Sequence, residues 1–166
     1  MREETMKKPE ENFITITDRE AIEKLRQLGA WVEDEKELKL PLLEAIYFAE
    51  KGVIKESTEE LLKKLKKADK LAEDKYAILK HLRNNGYITR LSLDYGEFFR
   101  VYQKGFRPNE DRTKYVVKVV PKDWQPKLDE IKEALEFSGN VRKELIFAYI
   151  DEKKIGFIKM GRTNFD

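Results

Sequence analysis

The sequence predicts an α+β protein, with a small N-terminal α/β domain over residues 1–70 and a larger mixed-sheet α/β domain over 71–166. Three observations carry this reading. The first 55 residues alternate short branched or aromatic runs with helical periods. A Lys, Glu and Leu-rich segment then joins the two halves. The remainder runs helix, three strands, helix, two strands. With 166 residues, 40% of them hydrophobic, the chain is long enough to bury a core in each half.

Residues 1–12 are polar and without period, an expected frayed end. Phe13, Ile14 and Ile16 then form a strand pattern, and TDREAIEKLRQLG opens a helix at Thr17 or Asp18 that stops at Gly29. In that helix Ala21, Ile22, Leu25 and Leu28 recur at helical spacing, so one face is apolar and needs cover. Leu38 and Leu40 mark a second strand, and Pro41 sits at the start of a helix through Leu42, Leu43, Ile46 and Tyr47 that ends at Gly52. Ser57 with Glu60 is a capping box for the joining helix, whose lysines read as a solvated face.

From Asp74 a further helix points Tyr76, Ile78, Leu79 and Leu82 inward and stops at Asn85-Gly86. YITRLSL, FFRVYQ and KYVVKVV read as strands, separated by Gly96 and by the loop KGFRPNEDR. LDEIKEALEFSGN reads as a helix ending at Gly139-Asn140, and VRKELIFAYID and KIGFIKM as two strands joined by the turn DEKK.

Composition excludes several chemistries. The chain has no cysteine and one histidine, His81, which leaves neither thiolate chemistry nor a His-rich zinc site. His81 lacks both ligand spacing and a carboxylate partner, so it reads as a packing or surface residue. No cofactor is expected. The net charge is only +2, so any affinity for polyanions must come from a local basic surface. No run approaches the ~18 apolar residues of a membrane helix, and a soluble, cytoplasmic protein without membrane association is expected. High Lys and Glu content matches proteins of hot-growing organisms. No phosphate-cradling glycine loop, nucleophile elbow or metal-binding pair occurs. What remains is a polar set in the second half: Tyr102 at a strand end, Arg112 and Lys114 after a loop, and Arg142 with Lys143 between a helix and a strand.

These segments, in order, resemble the C-terminal nuclease-like domain of archaeal tRNA-splicing endonucleases. KYAILKHLRNNGYITRLSLDYGEFFRVYQKG is similar to that family's helix, turn and "F-x-V-Y" strand, RTKYVVKVV to its "H-x-x-Y-L-V", and SGNVRKELIFAYID to its "V-R-K-x-L". LPLLEAIYFAEKGVI resembles the family's N-terminal segment. The resemblance implies a metal-free triad in which a tyrosine is general base, a histidine general acid, and a lysine stabilises the charged transition state. Precursor tRNA is then cut at a bulge, giving 2′,3′-cyclic phosphate and 5′-hydroxyl ends. Tyr102 falls at the tyrosine position and Lys143 at the lysine position, but Arg112 stands where the histidine belongs. Arginine stays protonated up to a pKa above about 12, so it can hold a phosphate and cannot deliver a proton near neutrality. The resemblance therefore implies a structural subunit of the heterotetrameric type, two such chains with two catalytic subunits. In that role Arg112, Lys114 and Arg142 would touch RNA. The subunit interface would draw on Phe147, Tyr149, Phe157 and Ile158, with Asp151 and Glu152 at an acidic loop position diluted by Lys153 and Lys154. The alternative is an active homotetrameric, metal-independent ribonuclease in which Arg112 or its neighbour Asp111 takes the acid's place.

Overall fold

The structure is a computed structural model of the chain, and it describes residues 12–91, 95–108 and 112–165. The chain divides into two compact units, Met1–Tyr76 and Ala77–Asp166. The expected α+β class is the one found.

In the first unit, β1 (Phe13–Ile16) pairs antiparallel with β2 (Leu38–Pro41), with Phe13 opposite Pro41 and Ile16 opposite Leu38. Helix α1 (Arg19–Gln27) is capped by the Asp18 carboxylate, which accepts from the Glu20 backbone N–H at 3.1 Å. Its apolar stripe buries Ile22 and Leu25. Pro41 directly precedes α2 (Leu42–Glu50), which buries most of its surface, and Ser57 caps α3 (Thr58–Ala68) through the Glu60 N–H at 3.4 Å. Tyr76 donates to the Glu50 carboxylate. Burial and that carboxylate both push the phenol well above the ordinary tyrosine range.

Helix α4 (Ala72–Asn84) begins two residues before the expected Asp74, and its last turns belong to the second unit. That unit is built on a five-stranded sheet in the order β3-β4-β5-β6-β7. The strands are β3 (Thr89–Arg90), β4 (Phe99–Tyr102), β5 (Thr113–Val119), β6 (Glu144–Asp151) and β7 (Lys154–Met160). All pairs are antiparallel except β5 with β6, which run parallel and are joined by α5 (Leu128–Asn140). A parallel pair demands such a crossover, because no tight turn can return the chain to the same end of the sheet.

The faces of the sheet follow the two-residue alternation of its strands. Val116, Leu145 and Phe147 project toward α5 and join Val120 and Ala134 in the core, with Trp124, Phe137 and Tyr149 packed against them. The Trp124 and Phe147 ring centroids are 4.9 Å apart. The opposite face carries Phe157, which meets His81 of α4 across 6.0 Å between ring centroids.

One local expectation needs correction. YITRLSL contributes only the two residues of β3, and residues 92–94 lie outside the described ones. The loop KGFRPNEDR is described except for residues 109–111, so Asp111 also lies outside them. Helix α5 ends at Gly139-Asn140, where the sequence places its stop. Its end is a Schellman motif: the Arg142 N–H donates to the Gly139 carbonyl at 3.1 Å and the Lys143 N–H to the Ser138 carbonyl at 2.9 Å. Arg142 takes the left-handed position at φ 57, where glycine is the usual occupant. The DEKK turn likewise has two non-glycine central residues at positive φ, Glu152 at 47 and Lys153 at 67, the pattern of a type I′ hairpin.

Tyr149 lies directly opposite Gly156 in the β6–β7 ladder. A Cβ on Gly156 would sit 2.2 Å from the Tyr149 Cζ, so the ring covers the space a side chain would need. Gly156→Ala is therefore expected to lower unfolding stability by about 1–2 kcal/mol in denaturant titration. In a Tyr149→Ala background the same change should be neutral or stabilising, because the clash is gone and the unfolded chain loses entropy. Equal effects in both backgrounds would refute the contact.

Candidate nucleic-acid interface at the start of the parallel strands

Parallel strands begin at the same end of a sheet, so the entrances of β5 and β6 are neighbours although a crossover helix separates them in sequence. Tyr115 is in register with Glu144, which places Arg112 and Lys114 beside Arg142 and Lys143. These four cations line one open cavity of about 530 Å³, together with Gln103, Thr113 and Glu144. The Schellman motif sets the direction from which Arg142 and Lys143 enter.

Among the described residues four cations face one carboxylate there, a local excess of positive charge in a chain that is nearly neutral. The carboxylate itself is engaged: Lys159 of β7 donates to Glu144 at 2.7 Å. That hydrogen bond, aided by the opposite charge, raises the Lys159 pKa. Lys114 also lies 5.5 Å from the Tyr115 ring centroid. The arrangement is suited to holding a phosphate with several donors.

Tyr102 is placed differently. The register of β4 against β5 shifts between Val101 and Tyr102, so Tyr102 pairs with Thr113 and Lys114 becomes the extra residue of a bulge. Tyr102 is 2% exposed, its backbone N–H donates to the Ile88 carbonyl at 3.0 Å, and its hydroxyl accepts from Arg90 Nη1 at 3.5 Å. Gln103, not Tyr102, borders the cavity. The structure thus gathers Arg112, Lys114, Arg142 and Lys143 and leaves the Tyr102 ring in the interior. His81 borders a different cavity.

The four apolar contact candidates also separate. Phe147 is 2% exposed and belongs to the core beneath α5, so its side chain is not offered to a partner. Tyr149 is half-buried over Gly156. Phe157 and Ile158 are the exposed pair, at 40% and 49%, on the outermost strand β7. Asp151 and Glu152 are exposed at the hairpin. Gln103, Thr113 and Glu144 escaped the sequence reading, although each directly adjoins a residue it had named. Among the described residues no cluster of three or more His, Cys, Asp or Glu could hold a metal ion, and no helix is long and apolar enough to cross a membrane.

Comparison with known proteins places this architecture. Residues 72–157, more than half of the chain, match the tRNA intron endonuclease, catalytic C-terminal domain family. A tRNA-splicing endonuclease of Thermococcus kodakarensis is 36% identical over 146 residues, covering 82% of this chain and 84% of that one. One from Methanococcus vannielii is 32% identical over 157 residues, covering 89% and 88% of the two chains. One from Methanosarcina barkeri is 26% identical over 164 residues, and there the chain spans 47% of its relative's length. A family match across the whole of the second unit's sheet up to Phe157, and a relative similar over most of both units, have one consequence: the chain belongs to the tRNA intron endonuclease family.

Proposed function

We propose that the chain is the structural subunit of a cytoplasmic tRNA-splicing endonuclease, two copies pairing with two catalytic subunits that cut introns from precursor tRNA at bulges. The observation that carries this reading is a cavity rich in cations in which, among the described residues, no side chain is a proton donor of suitable strength. In the reaction, a ribose 2′-hydroxyl attacks the adjacent phosphate, so one proton must leave the nucleophile and another must reach the departing 5′-oxygen. Lys143 and Arg112 can meet the negative charge of the transition state, with Lys114 and Arg142 holding flanking phosphates. A guanidinium at the acid position does not supply the second proton. Losing a positioned acid costs about 10²–10⁴ in rate, or roughly 3–5 kcal/mol of barrier. Tyr102, buried against Arg90, adds to the deficit on the base side.

Within this reading residues 71–166 form the endonuclease-like domain, and 1–70 the N-terminal domain with its joining helix. The exposed Phe157 and Ile158 on the outermost strand supply an edge for a neighbouring subunit, flanked by Tyr149. Asp151 and Glu152 provide a weak acidic hairpin, with Lys153 and Lys154 beside it.

One observation favours a second reading, the active homotetramer: the chain covers 84% of a relative that is itself called a tRNA-splicing endonuclease. Arg112→His separates the two. On the structural-subunit reading the isolated wild-type chain leaves intron-bearing precursor tRNA intact, and Arg112→His raises its cleavage rate by about tenfold or more. Cleavage by the isolated wild-type chain that Tyr102→Phe abolishes would establish the homotetramer instead.

Arg142→Gly tests the RNA-gripping role. Relieving the left-handed strain, less the extra chain entropy of glycine, should raise unfolding stability by about 0.5–1 kcal/mol. Affinity for precursor tRNA should fall across all sequences, with the log–log salt slope reduced by about one. An unchanged slope would remove Arg142 from the interface.

A further inference from the structure

Buried hydroxyl groups are nearly always hydrogen-bonded, because an unmet one gives up its hydration for nothing in return. Two buried hydroxyls of the second unit obey this rule. Thr89 Oγ1 donates to the Tyr87 carbonyl at 3.1 Å, and Ser138 Oγ to the Leu135 carbonyl at 3.0 Å. Thr113 does not. It is 3% exposed at the start of β5, and its Oγ1 has no hydrogen-bond partner. The bulge accounts for its position: the register shift sets Thr113 opposite Tyr102, and Thr113 borders the same cavity as Arg112, Lys114, Arg142 and Lys143.

The hydroxyl proton needs an acceptor, and its surroundings are poor in them. Lysine and arginine side chains carry donors only. Among the described residues that line the cavity with Thr113, only Gln103 and Glu144 have side-chain acceptor oxygens, and Lys159 engages the Glu144 carboxylate at 2.7 Å. We propose that the Thr113 hydroxyl binds a non-bridging oxygen of an RNA phosphodiester held in the cationic cavity. This inference rests on the RNA-binding reading above, and it adds one neutral, directional donor to the four cations. A phosphate oxygen has lone pairs to accept the hydroxyl proton, and its negative charge strengthens the bond. Oγ1 itself is closed off from solvent, and a rotation about χ1 from one staggered well to another swings it around Cβ to meet the anion.

Thr113→Val removes the hydroxyl and keeps the branched shape, so it separates binding from folding. Because the hydroxyl is unpaired within the protein, the unfolding midpoint of the full chain in denaturant should be unchanged or raised. Affinity for intron-bearing precursor tRNA, and for inorganic pyrophosphate as a minimal probe, should fall by about tenfold. The log–log salt slope for the RNA should match the wild type, since no charge is lost. Thr113→Ser keeps the donor and should restore both affinities. The proposal fails if Thr113→Val binds both probes like the wild type, or if Thr113→Ser binds them as weakly as Thr113→Val. It also fails if Thr113→Val lowers the unfolding midpoint, since the hydroxyl then serves the fold. Pyrophosphate affinity that depends on the hydroxyl, in a chain that binds no precursor tRNA, refutes only the functional reading. A chain that supports a catalytic subunit and binds RNA equally well after Thr113→Val refutes only this inference.

Discussion

The parallel pairing of β5 with β6 is the constraint on which the rest of the second unit depends. It requires α5 as a crossover, it brings the entrances of both strands to one end of the sheet, and it buries Val116, Leu145 and Phe147 beneath that helix. Because the strands start together, two basic segments distant in sequence become adjacent. The last turn of α5 completes the arrangement. An arginine occupies the left-handed C′ position that glycine would take at lower strain, and its side chain borders the cationic cavity. A non-glycine residue in that conformation costs on the order of 1–2 kcal/mol and persists where its surroundings impose it.

Charge and proton transfer separate cleanly at this site. Binding a phosphate needs fixed donors and positive potential, which Arg112, Lys114, Arg142 and Lys143 supply together. Cleaving the ester needs groups that exchange protons near neutrality, and a guanidinium is not one of them. Among the described residues Glu144 is the one carboxylate lining the cavity, and it is held by Lys159. The bulge that sets Tyr102 opposite Thr113 withdraws the phenol from the same space. On the proposed structural-subunit reading, such a site would retain phosphate affinity without the groups for cleavage.

Much of this was legible in the sequence, for reasons that can be given element by element. Asp18 and Ser57 announced their helices because short polar side chains satisfy the first free N–H groups. The strands at Phe13, Leu38, Phe99 and Glu144 showed through branched and aromatic runs. The end of α5 showed as the Gly139-Asn140 stop, but its Schellman geometry did not, because the left-handed position after the cap is taken by Arg142 and not by the glycine that signals such a turn. The inward turn of Tyr102 depends on a one-residue register shift, which periodicity cannot reveal. Phe147 could have been placed: it alternates in phase with Leu145, and both face the core.

The central claim is that this chain grips RNA but depends on a companion for the missing proton donor. The most direct measurement compares cleavage of intron-bearing precursor tRNA by the purified chain with cleavage by the same chain co-expressed with a histidine-bearing catalytic subunit, each sized in solution. The account predicts an inert isolated chain and an active complex containing two copies of each. Full cleavage by the isolated chain, or a catalytic subunit equally active without it, would contradict it.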